Sequence, residues 1–452
     1  MLPHSLQKSA TDQFRLLVEF VRWIPVALYA GVMAGVASAV LLASLTLATD
    51  LRETHRWLIL LLAPAGWLVG LLYKHFGKSV EAGNNLILEE VHDPRDVIPV
   101  RMTPLILIGT FVTHLFGGSA GREGTAIQTG ASLADQLARP LRMSAANRRI
   151  LLMAGISAGF GSIFGTPLAG AVFGIEVLAI GTLSYDAIAP CFLAAFAGDL
   201  TTRFIANYLP GVHHAIYRVA QVPALRPATI LYAAVTGIAF GLVAQAFAKA
   251  THFVSGTARR LISRPELRPF AGGLIVTAAA FAIPHSSRYI GLGLPTIAAA
   301  FQTGVAPYDF VGKFLFTCAT LGTGFKGGEV TPLFYIGSTF GNALSGIVPL
   351  PSSLLAGMGL AAVFAGAANT PLASTFLAME LFGAEAGAYA GIACVVSYLF
   401  SGHAGIYSAQ RLGRGKRIGA AAEQGPSLAL EAKMHQDADT GPAGPVERRS
   451  LP

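Results

Sequence analysis

A series of apolar stretches runs along this chain and constrains the fold more than any other feature of the sequence. The first, roughly Phe14 to Ala48, can span a bilayer, which needs about 20 apolar residues. Many of the others are too short to cross alone or are broken by Gly and Pro, which is typical of discontinuous helices around an ion site. The later stretches lie near 58–73, 104–118, 125–138, 148–182, 187–206, 227–250, 270–284, 309–321, 329–348, 353–368 and 371–400. One such stretch could be the core helix of a soluble protein, but the whole series predicts a polytopic all-α membrane protein.

The composition is typical of a chain that faces lipid. Hydrophobic residues make up 53% of the 452 residues and charged residues only 12%, whereas a soluble domain normally carries about 25% charged residues. The net charge of +8 lies mostly in short polar segments and tails, so it indicates topology and not nucleic-acid binding. Basic residues near both ends predict that both termini are cytoplasmic: Lys8, Arg15, Arg22, Arg411, Arg414, Lys416 and Arg417.

Three regions of different composition divide the chain. We expect a cytoplasmic N-terminal segment at 1–13, a membrane domain at 14–412 and a disordered cytoplasmic tail at 413–452, without a second soluble domain. The N-terminus does not have the pattern of a cleaved signal peptide. The three cysteines lie inside apolar stretches and have no metal-binding spacing, so we expect no metal, cofactor or disulfide.

The chain contains an internal repeat. GISAGFGSIFGTPLAGAVFGIEVL, which begins at Gly155, aligns without gaps with GLAAVFAGAANTPLASTFLAMELF, which begins at Gly359, and both copies contain TPLA and one aligned glutamate. Two homologous halves predict a transporter whose site lies between the repeats. We place repeat 1 at about 14–206 and repeat 2 at about 227–400, followed by a terminal helix that carries Tyr407. These patterns leave open whether the repeats are parallel or inverted.

Upstream of each TPLA copy lies a second pair of similar segments. GREGTA at 121–126 aligns with GGEVTP at 327–332, and this alignment makes Glu123 and Glu329 equivalent. Two aligned glutamates within apolar surroundings are functional candidates, because an ionisable side chain at membrane depth is costly to keep.

Glu123 lies where a glycine-rich turn meets an apolar helix that starts near Gly124. The first amides of a helix have no partners within it, so Gly121 and Gly124 flank a predicted anion site. An ionised Glu123 could occupy this site and a protonated one would leave it to a free anion, so one residue would be both gate and proton carrier. The alternative is that Glu123 only caps the helix. We expect Arg122 to pair with a carboxylate or to cap carbonyl groups.

The second copy, GTGFKGGEVTPLF, has the same design. Glycines precede a helix that starts near Val330, and the N–H groups of Val330 and Thr331 could face an anion. Glu329 lies in an apolar setting where its ionisation is costly. We therefore predict that Glu123 and Glu329 both take part in gating and proton transfer.

Two further segments supply hydrogen-bond donors. EAGNNLILEE at 81–90 contains Asn84, whose side-chain amide could bind an anion, although Gly-Asn is also ordinary turn chemistry. GIYSAQR at 405–411 contains Tyr407, whose hydroxyl could do the same or whose ring could anchor the chain at the membrane interface.

Together these segments resemble the CLC family of chloride channels and anion/proton exchangers. GNNLI at 83–87 occupies the place of the Gly-Ser-Gly-Ile-Pro signature, GREGT at 121–125 is similar to Gly-Arg-Glu-Gly-Pro, and GEVTP at 328–332 is similar to Gly-x-Phe-x-Pro. Tyr407 matches the late tyrosine of the family. The resemblance covers most of the chain and implies a CLC-type fold of two inverted repeats with discontinuous helices.

The departures from the family pattern resemble its fluoride-exporting branch. Asn84 stands where chloride-selective members carry a serine, Thr125 replaces a proline, and Val330 replaces a phenylalanine. The family's exchangers also use an internal proton glutamate, but Val177 falls on that position and Glu176 falls one residue before it. The resemblance therefore favours a proton route through the two glutamates of the paired segments.

The resemblance implies a homodimer with one pore per subunit and an interface near 167–206 and 371–400. It also implies export of cytoplasmic fluoride across the inner (plasma) membrane on the inward proton gradient. The expected ligands are fluoride, or chloride, and protons; nucleic acid is not expected. A chloride or nitrate exchanger and a passive anion channel of the same fold stay open. We expect no enzymatic activity, because the sequence contains no paired-His metal motif, nucleophile elbow or phosphate loop.

Overall fold

The computed structural model describes residues 4–302 and 304–417, with side chains from residue 12 onward. Its α-helices in chain order are α1 (His4–Thr54), α2 (Leu62–Leu72), α3 (Asn84–His92), α4 (Met102–Leu115), α5 (Glu123–Asp135), α6 (Ala145–Phe164), α7 (Pro167–Glu176), α8 (Ile188–Ala206), α9 (Pro227–Leu261), α10 (Leu267–Ala282), α11 (Leu294–Gln302), α12 (Asp309–Gly322), α13 (Val330–Leu344), α14 (Ser352–Ala368), α15 (Pro371–Phe382) and α16 (Ala384–Phe400). Short 3₁₀ or π turns lie at Arg56–Leu61, Tyr73–Gly77, Lys78–Val80, Tyr185–Ala187 and Ser286–Arg288. Two strands of two residues, β1 (Ala179–Ile180) and β2 (Arg411–Leu412), pair in parallel.

Some of the helices are long enough to cross a bilayer and others are not. In the part of the chain that the structure describes, four helical stretches have the length and apolar composition of a membrane span: Asp12–Thr54, Arg56–His92, Tyr185–Ala206 and Pro227–Leu261. In contrast, α7 has 10 residues, a rise of about 15 Å, which is half of a hydrocarbon core of about 30 Å. Such a helix must end inside the protein, where other groups satisfy its terminal amides and carbonyls. The predicted all-α membrane fold with discontinuous helices is confirmed.

The two TPLA copies fold in the same way. α6 ends at Gly165 and α14 ends at the aligned Asn369, and both capping residues are left-handed, with φ of 72° and 57°. Thr166 and Thr370 follow with nearly the same backbone angles, φ of −127° in both and ψ of 73° and 67°, outside the α region that a residue before proline avoids. α7 and α15 then begin at the prolines, which suit the first helical turn because they lack an N–H group.

The aligned glutamates of these copies cap each other's helices. The Glu176 carboxylate, at the end of α7, accepts hydrogen bonds from the amides of Leu372 and Ala373 at 3.0 and 2.7 Å. Glu380, near the end of α15, accepts from the first free amides of α7 at 2.9 and 2.8 Å. Each carboxylate neutralises a helix N-terminus of the other copy. Because each helix ends where the other begins, α7 and α15 are antiparallel, as inverted repeats require.

The paired glycine-rich segments also meet, but in a register one residue away from the predicted one. Gly121 and Gly328 form an antiparallel bridge, with N–H···O distances of 2.6 and 2.8 Å. α5 begins two residues after Gly121, at Glu123, and α13 begins two residues after Gly328, at Val330. Glu123 is therefore equivalent to Val330, and its predicted equivalence to Glu329 is wrong. The consecutive glycines at 327 and 328 had allowed either register.

A buried ion-pair cluster orients the two helices that supply the first half of the site. Arg148 of α6 donates to Asp135, at the end of α5, at 2.8 Å and to Glu90, in the last turn of α3, at 2.9 Å. The C-terminal ends of α3 and α5 are thereby held at one point. Their N-terminal residues, Asn84 and Glu123, are carried toward the centre of the protein.

The predicted boundaries at the chain ends need two corrections. The N-terminal segment assigned to 1–13 is already helical from His4, where α1 begins. The predicted terminal helix that carries Tyr407 is wrong, because residues 401–410 form turns and bends before β2. Gly402 has φ of 66°, which does not fit a right-handed helix. Of the predicted tail, 413–417 are described and 418–452 lie outside the described residues.

Candidate functional site

The bridge between Gly121 and Gly328 brings the N-termini of α5 and α13 together. A side chain at Gly328 has no room, because a Cβ atom there would lie 2.7 Å from the amide nitrogen of Gly124. The Gly121 amide donates to the Gly328 carbonyl, so its predicted role as an anion ligand is wrong. The amides of Gly124 and Val330 have no hydrogen-bond partner among the described residues and can face an anion.

The Glu123 carboxylate occupies an anion position at the start of α13. Its Oε2 atom accepts from the Thr331 amide at 3.0 Å and from the Arg122 amide at 3.1 Å. Its Oε1 atom accepts a hydrogen bond from the Thr331 hydroxyl. The Glu123 side chain is fully buried. The sequence predicted a carboxylate at the N-terminus of its own helix, whereas the structure directs it mainly to the helix of the other repeat.

A cavity of about 570 Å³ lies on one side of this position and brings three predicted residues together. Asn84, Glu329 and Tyr407, from three separate segments, all line it, whereas Glu123 does not. Its basic lining residues are Lys74, Lys78, Arg259, Arg268 and Lys326. A cavity with this lining attracts anions, because like charges on low-dielectric walls focus the electric field.

Asn84 lines this cavity and lies against the first turn of α5. A Cβ atom on Gly124 would lie 2.9 Å from Asn84 Nδ2. The Asn84 Oδ1 atom is buried and has no hydrogen-bond partner among the described residues. The side chain does not cap its own helix, which begins after Gly83 with φ of 59°. Its side-chain amide is therefore available to a bound group.

Tyr407 reaches the cavity from the C-terminal segment and is 3% exposed. Its hydroxyl makes no hydrogen bond within the described part of the chain. The neighbouring residue that fixes this segment is Asn85, whose Oδ1 atom accepts from the Ala409 amide at 3.0 Å. The sequence did not predict this contact of Asn85, because only the fold brings the two segments together.

Glu329 precedes α13 and faces the cavity. It is half-buried, and its carboxylate makes no hydrogen bond or ion pair with any described residue. Glu123 and Glu329 therefore differ in their access to the cavity: the Glu123 side chain is enclosed by protein, and the Glu329 side chain is open to the cavity. A carboxylate without partners at such a place can exchange protons with water in the cavity.

Lys326 and Tyr73 form a contact in the cavity wall that sequence reasoning missed. The Lys326 ammonium lies 4.0 Å from the centroid of the Tyr73 ring, a cation–π geometry that can stabilise a desolvated cation. The two residues are more than two hundred positions apart in the sequence, so no local sequence pattern predicted this contact.

The expected partners of the Arg122 side chain are absent. Arg122 is 5% exposed, its Nε atom is buried, and its guanidinium forms no hydrogen bond or ion pair in the described ranges. The prediction that it pairs with a carboxylate or caps carbonyls is therefore wrong. A cation buried beside Glu123 has only long-range compensation from the Glu123 charge.

The chain is similar in sequence to a known protein family and to individual proteins. A family model described as voltage gated chloride channel matches residues 65–402. The chain is 52% identical over 410 residues to the chloride/fluoride channel protein of Pseudomonas syringae pv. tomato, with 90% of each chain covered. It is 28% identical over 324 residues to the H+/Cl− exchange transporter ClcA of Yersinia pestis, with 67% of this chain and 66% of the relative covered.

Solved structures share the fold over most of the chain. The structure of a CLC-type fluoride/proton antiporter superposes with a TM-score of 0.83 at 34% identity, covering 87% of this chain and 98% of that one. The structure of a slow cyanobacterial Cl−/H+ antiporter has a TM-score of 0.72 at 22% identity, covering 86% and 96%, and this likeness concerns the fold alone.

Proposed function

Because this chain belongs to the voltage-gated chloride channel (CLC) family, we propose that it is a fluoride/proton antiporter that exports cytoplasmic fluoride on the inward proton gradient. One observation carries the proposal: the Glu123 carboxylate occupies an anion position at the start of α13. A carboxylate is the protein group that can both mimic a small anion and lose its charge by taking up a proton.

The exchange cycle follows from the competition between this carboxylate and a free anion. An ionised Glu123 holds the Thr331 amide and hydroxyl and closes the path. A protonated Glu123 has no charge to offer the α13 N-terminus and yields the position to an anion, which the helix dipole and free amides favour. Each change of occupant then couples the movement of one anion to a protonation step of the gate.

Glu329 is the proposed proton carrier on the cavity side. Its carboxylate faces the cavity without a partner among the described residues. The alternative carrier, Glu176, is engaged by two amides of α15, and proton uptake there would weaken both hydrogen bonds. This difference supports a proton route through Glu329 and Glu123.

The donor set supports fluoride as the substrate. Fluoride holds its water more tightly than the larger halides, so a site must replace that water with strong donors, because an unpaired buried charge is costly. Thr331 offers an amide and a hydroxyl, Asn84 an unengaged side-chain amide, and Tyr407 a hydroxyl. A relative named chloride/fluoride channel protein and a solved fluoride/proton antiporter add support.

A passive fluoride or chloride channel is the second candidate, because the relative from Pseudomonas syringae carries the name of a channel. The two candidates differ in proton coupling: a channel dissipates an anion gradient without moving protons uphill. A chloride/proton exchanger differs in selectivity and is tested in the same assay.

The proposed setting is the inner membrane, with both termini on the cytoplasmic side and two chains forming a dimer. Apolar side chains on the outside of the proposed interface helices support a contact with lipid or with a second chain. Exposed examples on α8, α15 and α16 are Ile188, Phe196, Leu200, Phe204, Leu372, Met379, Val395, Leu399 and Phe400.

Reconstitution into liposomes tests the proposal. Vesicles loaded with fluoride or chloride are diluted into anion-free medium, and anion efflux and proton uptake are followed with electrodes. We expect fluoride efflux to drive proton uptake against a pH gradient, and chloride efflux to be much slower. Fluoride efflux without proton movement would favour the channel, and equal chloride and fluoride rates would overturn fluoride selectivity.

A further inference from the structure

Asn369 and Gln410 form a buried pair of side-chain amides that the exchange cycle does not use. Their residues are 1% and 0% exposed. The Asn369 Nδ2 atom donates a hydrogen bond to Gln410 Oε1 at 2.9 Å. A buried amide is costly unless its donors and acceptors are paired, so two bonded amides at such depth fix the groups around them in one arrangement.

Gln410 joins the ends of two helices from the two halves of the chain. Its Nε2 atom donates to the carbonyl of Val177, which caps α7, at 2.9 Å and to the carbonyl of Ala368, the last residue of α14, at 3.0 Å. The last carbonyls of a helix have no partner within it, and a primary amide offers two N–H groups for them. Because α7 lies in the first TPLA copy and α14 in the second, Gln410 ties both copies to the C-terminal segment.

Asn369 adds a side chain at a position where the first TPLA copy has none. It is equivalent to Gly165, and both residues take the left-handed conformation that glycine favours most and asparagine tolerates. The backbone turn is therefore available to both residues, and the asparagine contributes the donor to Gln410 in addition. Space for this side chain comes from Gly405, where a Cβ atom would lie 2.7 Å from Asn369 Nδ2.

Gln410 also closes the turn that carries Tyr407. The Gln410 backbone amide donates to the Tyr407 carbonyl at 3.2 Å, and the amide of the preceding residue, Ile406, donates to the Ala367 carbonyl of α14 at 2.9 Å. The Tyr407 hydroxyl has no hydrogen-bond partner among the described residues. Its place in the cavity is therefore set by the turn behind it, and not by a hydrogen bond of its own.

We propose that Asn369 and Gln410 are positioning residues that hold the Tyr407 hydroxyl where it binds the transported anion. The inference rests on the proposed function, in which that anion is fluoride. Tyr407 lines the cavity, whereas Asn369 and Gln410 do not, so the pair acts on the anion only through Tyr407. Loss of the pair frees the turn, and the hydroxyl then spends part of its time away from the anion. The apparent affinity falls with the fraction of protein in the competent arrangement.

A double-mutant cycle in liposomes tests this role. Asn369→Gly removes only the side-chain donor, because glycine suits the left-handed position. We expect it to raise the KM for fluoride about fivefold, the usual effect of losing one hydrogen bond, and to leave kcat nearly unchanged. Tyr407→Phe should raise the KM about tenfold, since its hydroxyl donates to a charged ion. Asn369→Gly should have no further effect in the Tyr407→Phe background, where no hydroxyl is left to position.

Two more variants complete the experiment. Gln410→Leu removes all the side-chain hydrogen bonds of Gln410 and should raise the KM at least as much as Asn369→Gly. Thermal unfolding in detergent shows whether each variant is folded, and Asn369→Gly decides alone if Gln410→Leu does not fold. Asn207→Gly is the matched control, because Asn207 also caps a helix, α8, and is exposed; it should change neither KM nor kcat.

The outcomes separate this inference from the proposed function. Native liposomes without proton-coupled fluoride flux would overturn the proposed function itself. If the native protein is active, an unchanged KM in Asn369→Gly or in Tyr407→Phe overturns the positioning role. So does an equal rise of KM on adding Asn369→Gly to Tyr407→Phe, which would show that the amide pair acts on transport without the hydroxyl.

Discussion

The Glu123 carboxylate accepts hydrogen bonds from both the amide and the hydroxyl of Thr331, a residue of the other repeat. Thr331 can offer both donors because α13 begins one residue earlier, so its amide has no partner within the helix. The contact joins the two inverted halves at the point where an anion would pass. In the proposed function, this contact lets one side chain close the path and compete with the transported ion.

Neutralising this carboxylate tests its role directly. We expect Glu123→Gln to abolish proton movement in liposomes, because an amide cannot carry the proton and does not compete with an anion for the α13 N-terminus. Fluoride flux should persist without coupling. The control is Glu53→Gln, at an exposed position near the end of α1. Uphill proton movement at the native rate in Glu123→Gln would refute the assignment.

Glu329 should affect the proton branch of the cycle. We expect Glu329→Gln to slow proton movement strongly and to leave the protein folded, since its carboxylate makes no hydrogen bond or ion pair to any described residue. Glu81→Gln is a matched control, because Glu81 lines the same cavity and is exposed. Coupled fluoride transport that survives in Glu329→Gln would reduce Glu329 to a cavity-lining residue.

Glu176 should affect stability and not proton coupling. Removal of its carboxylate leaves two amides of α15 without partners, so Glu176→Ala should lower the free energy of unfolding by roughly 1–3 kcal/mol. Thermal unfolding in detergent measures the loss, with Glu385→Ala at an exposed position as the control. The protein that stays folded should transport protons and fluoride in the native ratio. A change in this transport ratio would indicate that Glu176 belongs to the proton route.

The sequence predicted the helical membrane fold and most of the residues that meet at the site. The TPLA copies were readable because proline and threonine fix the same local turn in both halves, at Thr166 and Thr370. The register between the upstream segments could not be predicted from the sequence, because the consecutive glycines fit two alignments. Only the bridge between Gly121 and Gly328 selects one of them. The isolation of Arg122 was also hidden, since the absence of a partner depends on the whole fold.

The interface between subunits is tested by cross-linking. We expect Phe196→Cys, on the exposed face of α8, to give covalent dimers in membranes under oxidising conditions. Phe253→Cys, on α9 and 73% exposed, lies outside the proposed interface and should stay monomeric. The three native cysteines are all buried, so they should contribute little background cross-linking. Dimers formed through Phe253→Cys alone would move the interface away from 167–206 and 371–400.

Selectivity should depend on Asn84. Its side chain lies against the first turn of α5 and its Oδ1 atom has no partner among the residues that the structure describes, so the amide is free to turn an N–H group toward a bound ion. A serine there is shorter and offers one donor in place of two. We expect Asn84→Ser to lower the ratio of fluoride to chloride efflux by roughly tenfold, about the effect of one hydrogen bond to a charged group. Asn207→Ser, at an exposed position just after α8, is the control. An unchanged ratio in Asn84→Ser would remove this residue from the selectivity site and leave Thr331 and Tyr407 as its remaining side-chain donors.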